Sequence, residues 1–392
     1  MRLKGILLIL LAASLPLSVF ATDLSIFLIA FHWIIDGKFS QKWNTIKSSN
    51  WLKSLLVLFF IYGLGLLWGS NHSGAVWVFQ KSAILLVLPI LFSFDYTDKQ
   101  IKHSVFAFLL SMMFSAIVAL LINIGWLQHL FKYSDLFAKN WNNSAFMPYT
   151  YHNVFLAFSV LISSISLLYQ KHSKSTKLIF ILIIIVSTLS LFTERGRAGQ
   201  LAFLIIMTTF FFINLWKRKG WLLTAVISLF VIFLLSYNYS TPFKNRIDFT
   251  INSLKKLEKT DSNSTNTRYF FTTYSLDMIS QKPILGYGTG SFVDEFSAMS
   301  PHAKKIVDGI HKTPHNNFLF IWFELGLLGL ITFLAIFFFQ IKEYLNQPLG
   351  KYRFIFPLAF LSIMLFDAYF QNHNSAVLYA YLSMVFHSYS FK

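Results

Sequence analysis

The residues best suited to chemistry in this chain fall in a few short runs. His315 stands in Pro314-His315-Asn316-Asn317-Phe318-Leu319, where a polar segment gives way to an apolar one. Histidine is the side chain most readily poised as a base near neutral pH, and Asn316 or Asn317 can hold the imidazole or bind a sugar hydroxyl. Glu324 follows nine residues on, about 180° round a straight helix and roughly 13 Å deeper. It therefore serves helix packing beside Gly326 and Gly329 rather than the histidine. A second run, Thr193-Glu194-Arg195-Gly196-Arg197-Ala198-Gly199, holds two arginines. A guanidinium keeps its charge and offers a planar fork of donors suited to phosphate oxygens. On a helix, residues two apart point about 200° away from each other. Arg197 is then the one facing a site, and Arg195 pairs with Glu194 or meets lipid headgroups. Arg268 lies with Tyr274 in an amphipathic stretch, 267–279, closed by Lys282-Pro283 because proline cannot continue a helix. Gly286 and Gly288 follow in Gly-Tyr-Gly-Thr-Gly-Ser, a pattern that permits close backbone approach. It lacks the strand–turn–helix setting of a dinucleotide fingerprint.

These runs must be positioned by membrane helices. The 392 residues are 55% hydrophobic and only 12% charged, and apolar runs of roughly 17–25 residues recur along the chain, the length that spans a bilayer as a helix. The fold class is all-α and polytopic, with spans expected at 5–20, 23–36, 51–69, 76–94, 104–124, 153–169, 177–193, 197–216, 221–236, 317–341, 353–370 and 375–390. This divides the chain into helices 1–9 (1–236), a large outside loop (237–316) with short amphipathic helices, and helices 10–12 (317–392). With the N-terminus in the cytoplasm, the inside segments hold 18 Lys/Arg against four Asp/Glu, as the positive-inside rule requires. Most of the net charge of +17 is thereby a membrane-facing surface, and nucleic acid is not an expected partner. Residues 1–22 resemble a secretory signal, but the alternation of basic loops works best with the first helix retained. Another outside segment, about 125–152, carries Trp126, Tyr133, Trp141, Asn142, Asn143, Tyr149 and Tyr151, with His152 and Asn153 following. It reads equally as a sugar-binding surface and as an interfacial aromatic belt. There are no cysteines, which excludes disulfides and thiolate catalysis. The other ten histidines sit mostly in loops or alone on helices, and no spacing suggests a metal site.

The order Thr-x-x-Gly-Arg-x-Gly at 193–199, an arginine at 268, Pro-x-x-Gly-x-Gly-x-Gly at 283–290 and His-Asn-x-x-Leu-x-x-x-x-Glu-x-Gly-x-x-Gly at 315–329 resembles the O-antigen ligase family, which also includes O-antigen polymerases. The resemblance implies a GT-C-like membrane glycosyltransferase of the inner membrane, with its active site facing the periplasm. Its ligases move a glycan from undecaprenyl diphosphate to the lipid A–core oligosaccharide. By position, Arg197 and Arg268 would bind the diphosphate and His315 would act on the acceptor, with Arg195 as the other candidate for the first arginine. Arginines can stabilise the departing diphosphate as a divalent metal does elsewhere, so no cofactor is expected. Attack opposite the diphosphate predicts inversion at the anomeric carbon.

Two rival readings stand beside the ligase. A polymerase would share the motifs and extend a lipid-linked glycan; the compact chain with one large late loop favours the ligase. A lipid-linked sugar transporter would place ionisable residues within the spans and break helices near mid-membrane. Here Lys81, Glu324 and Asp367 are nearly the whole intramembrane ionisable set.

Overall fold

The computed structural model describes residues 3–126, 144–254, 264–300, 303–304 and 312–389. Every regular element among them is a helix. In chain order these are α1 (Leu3–Ser14), α2 (Val19–Ile35), α3 (Phe39–Ser48), α4 (Asn50–Gly65), α5 (His72–Ala83), α6 (Val87–Phe92), α7 (Asp98–Asn123), α8 (Tyr149–Tyr169), α9 (Lys174–Thr193), α10 (Arg197–Leu215) and α11 (Lys219–Tyr239). They continue as α12 (Thr241–Leu254), α13 (Ser264–Gln281), α14 (Phe292–Ala298), α15 (Asn317–Leu345), α16 (Gly350–Arg353), α17 (Ile355–Ile363) and α18 (His373–Ser388). A short 3-10 turn, Ile84–Leu86, joins α5 to α6. Seven described helices are long and apolar enough to cross a membrane, or eight if α2 and α3 count as one bent span. The protein is a polytopic helical membrane protein.

The layering follows from which faces are apolar. α8 is the hub: most of it is buried, and it packs on α9 and α10. Its serines at 159, 163, 164 and 166 are buried in the same stretch, small residues that let helices approach closely without a water-driven force between them. α4 lies along α15, and α1 along α7. α11 is apolar all round, yet only Leu229 is buried among its 21 residues. A helix of that kind is stable only with its remaining faces in lipid.

Several elements differ from the expected ones. The first two helices meet at Leu15–Ser18 rather than around residue 21, because Ser18 caps α2 through the Ala21 N–H. α3 was not foreseen; it bends 116° away from α2. The expected span over 353–370 is cut short: α17 ends at Ile363, and 364–372 is a turn. The Asn317 N–H donates to Met364 O at 2.9 Å and fixes that turn from outside the segment.

α15 is also not straight. At Gly326 the backbone takes φ 65°, ψ −164°, which frees the carbonyls before it. Phe323 O and Glu324 O accept instead from the Tyr287 and Gly288 N–H groups, at 2.9 and 2.8 Å. The alternating-glycine run therefore inserts its backbone into a helix, not against a ligand. Gly286 lies against Gly326 and Gly288 against Gly69, and Gly329 sits below Leu325. The Glu324 side chain is fully buried in the same packing. A Cβ at Gly326 would meet Ile284 O at 2.0 Å in a backbone region that L-residues avoid. Gly326→Ala is expected to destabilise the protein by roughly 3 kcal/mol, read as a lowered thermal unfolding midpoint in detergent; an unchanged midpoint would refute the insertion as a structural lock.

A candidate active site lined by arginines

The segment between α9 and α10 is not helical. α9 ends at Thr193, Glu194 is extended, and Gly196 has φ −80°, ψ 81° before Arg197 opens α10. The helical premise that set Arg195 and Arg197 on opposite faces therefore fails, and both line one cleft of about 440 Å³. Arg195 is exposed at its rim and Arg197 is half-buried. Glu194 does not pair with Arg195. Its fully buried carboxylate accepts from His152 Nδ1 at 2.8 Å and from Ser190 Oγ at 3.0 Å, while His152 Nε2 meets Ser115 Oγ at 3.0 Å. Asn153 Nδ2 donates to Leu191 O and Gly196 O, both at 3.1 Å. Gly196 is glycine for space, since a Cβ there would meet Asn153 Nδ2 at 2.5 Å. His152 and Asn153 thus build the floor of the arginine turn. Tyr133, Trp141, Asn142 and Asn143 of the aromatic segment lie outside the described residues; Tyr149 lines the cleft.

Arg268, from α13, lines the same cleft, and so does Arg246 from α12. Arg246 had no local signal in the sequence, being one of many cations between 237 and 316. Arg197 Nη1 donates to Thr250 Oγ1 at 2.9 Å, one turn beyond Arg246. Buried N–H groups of Arg197 (Nη2), Arg246 (Nε) and Arg268 (Nε) have no hydrogen-bond partner among the described residues. Such donors are normally satisfied. Burial pushes the Arg246 guanidinium below its ordinary value; Tyr149 opposes this, and Arg268 and Arg195 add to it. An anion in the cleft would answer both the empty donors and the crowded charge.

His315 joins the cleft through Asp367, which lines it. His315 Nδ1 donates to Asp367 Oδ1 at 2.9 Å, and its side chain is 27% exposed. A carboxylate only accepts, so this bond places a proton on Nδ1, and in the neutral ring the lone pair then lies on Nε2. His315 adopts φ 53°, an uncommon conformation for a residue with a side chain. Burial alone would raise the Asp367 carboxyl, but the His315 hydrogen bond and charge, the Ala368 N–H and Arg268 together hold it below its ordinary value. The sequence did signal Asp367, as a lone acid in an apolar run, yet a continuous helix there hid its partner. Glu324 is not that partner.

The neighbouring candidates support this pair. Asn316 caps α15, its side chain accepting from the Phe318 and Leu319 N–H groups. Asn317 is fully buried and donates to Gln371 Oε1 at 2.6 Å, while its own Oδ1 accepts from Phe370 N. Gln371 in turn reaches Tyr62 Oη at 2.9 Å. The helix start after His315 and the turn bearing Asp367 are thus tied together. Tyr274 packs in tilted contact with Phe270 and Phe296, each with ring centroids 5.8 Å apart, and does not line the cleft. No group of three or more His, Cys, Asp or Glu among the described residues could hold a metal ion.

Residues 178–334 match the family model described as O-antigen ligase. The O-antigen ligase of Salmonella typhimurium (strain LT2) is 25% identical over 277 residues, covering 68% of this chain and 62% of that protein. Over this segment the chain is similar to the O-antigen ligase family. The matched region includes both arginine-bearing helix starts, the glycine insertion and His315, so every part of the cleft except the Asp367 turn and Tyr149–Thr150 falls within the family's own segment.

Asp367→Asn removes the charge that holds the His315 ring while keeping its size. The rate of any reaction at His315 is expected to fall by about 10²-fold, the loss that follows when a reacting group is misplaced, with the unfolding midpoint nearly unchanged and Asp367→Glu partly restoring the rate. Full activity in the asparagine variant would show that the pair is not needed for the reaction.

Proposed function

We propose that this protein is a metal-independent inverting glycosyltransferase of the inner membrane. It transfers a glycan from undecaprenyl diphosphate to the lipid A–core oligosaccharide at the periplasmic face, and so completes lipopolysaccharide. The observation that carries this reading is a set of buried guanidinium N–H groups on Arg197, Arg246 and Arg268 that have no partner among the described residues, gathered in one cleft whose only lining carboxylate among them, Asp367, holds a histidine.

In this reaction the acceptor hydroxyl oxygen forms a bond to the anomeric carbon, and the bond from that carbon to the diphosphate oxygen breaks. The electron pair leaves with the diphosphate, where Arg197 and Arg268 meet the growing negative charge. The acceptor proton passes to His315 Nε2 as the bond forms. Asp367 steadies the imidazolium that results. The energy lies in the donor bond, so no nucleotide is needed.

The test is a gel of lipid A–core glycans from the native host lacking this chain. Bare core with long polymer left on the lipid carrier supports the ligase. Core bearing a single repeat would replace it with the polymerase, and an unchanged ladder would refute both.

A further inference from the structure

The cleft holds more positive charge than an intact donor presents. Among the described residues Arg195, Arg197, Arg246 and Arg268 line it with a single carboxylate, Asp367, already bonded to His315. In a sugar–diphosphate–lipid both phosphates are diesters, each carrying one negative charge. Cleavage turns the outer phosphate into a monoester, whose second ionisation lies near pH 6. The product therefore gains charge at neutral pH.

Arg246 is placed to meet that gain. It is half-buried in the cleft, its Nε has no partner among the described residues, and its guanidinium lies 5.7 Å from the Phe249 ring centroid. Thr250 Oγ1 donates to Arg246 O at 2.8 Å and accepts from Arg197 Nη1 at 2.9 Å. One helical turn thus aims two arginines into the same space. Among the described residues no acid is paired with Arg246, and Arg268 and Arg195 oppose its charge, so an anion there is electrostatically favoured.

Resting on the reading of this cleft as a diphosphate site, we propose that Arg246 is a third diphosphate-binding arginine, directed at the charge that appears on the outer phosphate, so that the cleft holds the released lipid diphosphate more tightly than the intact donor. Arg246 then assists bond cleavage, and carrier release becomes a slow step subject to product inhibition.

The experiment measures binding of two probes to the purified full chain in detergent at pH 7.5. One is farnesyl diphosphate, with a free outer phosphate; the other is the same compound capped by glucose on that phosphate. Wild type is expected to prefer the free diphosphate by about tenfold, the effect of one added charge-assisted contact. Arg246→Gln should cut that preference below about threefold, leave the capped probe's affinity within about threefold, and not lower the unfolding midpoint, because like-charge repulsion is relieved. Equal affinities in wild type, or equal weakening of both probes by Arg246→Gln, would overturn the inference while leaving the diphosphate site in place. Failure of wild type to bind either probe would overturn the site itself and the inference with it.

Discussion

His315→Ala is expected to lower glycan transfer by about 10²–10⁴-fold, the usual contribution of a positioned general base. The comparison is between purified wild type and variant in vesicles supplied with lipid-linked glycan and core acceptor. The substitution removes one side chain that is 27% exposed, with its hydrogen bond to Asp367 and its contact with the Phe271 ring; Asn317 and Gln371 still tie α15 to the 364–372 turn, so the fold should persist. Asp367 is held below its ordinary value in the folded protein. A depressed carboxyl contributes stability that is fully present above its unfolded value, near 4, and is lost as pH falls through the lower folded value. Asp367 therefore stays ionised at neutral pH. Wild-type transfer by the alanine variant would remove His315 from the mechanism, and loss of transfer with retained flipping of the lipid carrier would exclude the transporter reading.

The parts of this site that the sequence made visible are those with local causes. Apolar length marked out the long helices, though seven or eight of the described ones, not twelve, are long and apolar enough to span a membrane, and Gly326 stands in view as a glycine inside an apolar run. What escaped were features decided at a distance. Nothing between Ser362 and Gln371 breaks a helix by residue type; the turn exists because Asn317 takes Met364 O and Gln371 reaches Tyr62. Once that segment was read as a straight span, Asp367 lost its histidine. The same holds between α9 and α10. A helical reading separated Arg195 from Arg197, while the buried His152–Glu194 pair and Asn153 hold the chain extended there and bring both to the cleft. His152 looked like one of many isolated histidines because its partner is 42 residues away. Asn316 and Asn317, read as possible sugar ligands, have backbone and side-chain partners within the protein. Arg246 is the plainest case, since position alone separates it from the other cations of its segment.

Arg268→Gln is expected to reduce kcat by about 10²–10³-fold, the range seen when one preorganised donor to a developing charge is removed. Arg268 differs from its neighbours in touching both halves of the site. It lines the cleft with Arg197 and Arg246, and its charge also acts on Asp367, the residue that orients His315. Glutamine keeps hydrogen-bonding capacity but loses the charge, so the donor should still bind, with a KM raised far less than kcat falls, because the missing stabilisation belongs to the departing diphosphate more than to the intact one. Arg268→Lys keeps the charge and loses the planar fork; partial recovery is expected, since a point charge binds phosphate without two-pronged geometry. Arg197→Gln should show the same pattern with an added loss of order around Thr250. Comparing Arg195→Gln with Arg197→Gln in the same assay ranks the two arginines of the turn: the exposed Arg195 has the smaller expected loss, because solvent screens it. Steady-state rates with varied lipid-linked donor decide the matter. A pure KM effect in Arg268→Gln would mean that the arginine binds the donor without stabilising its departure, and the electrostatic account of leaving-group release would fail at its central residue.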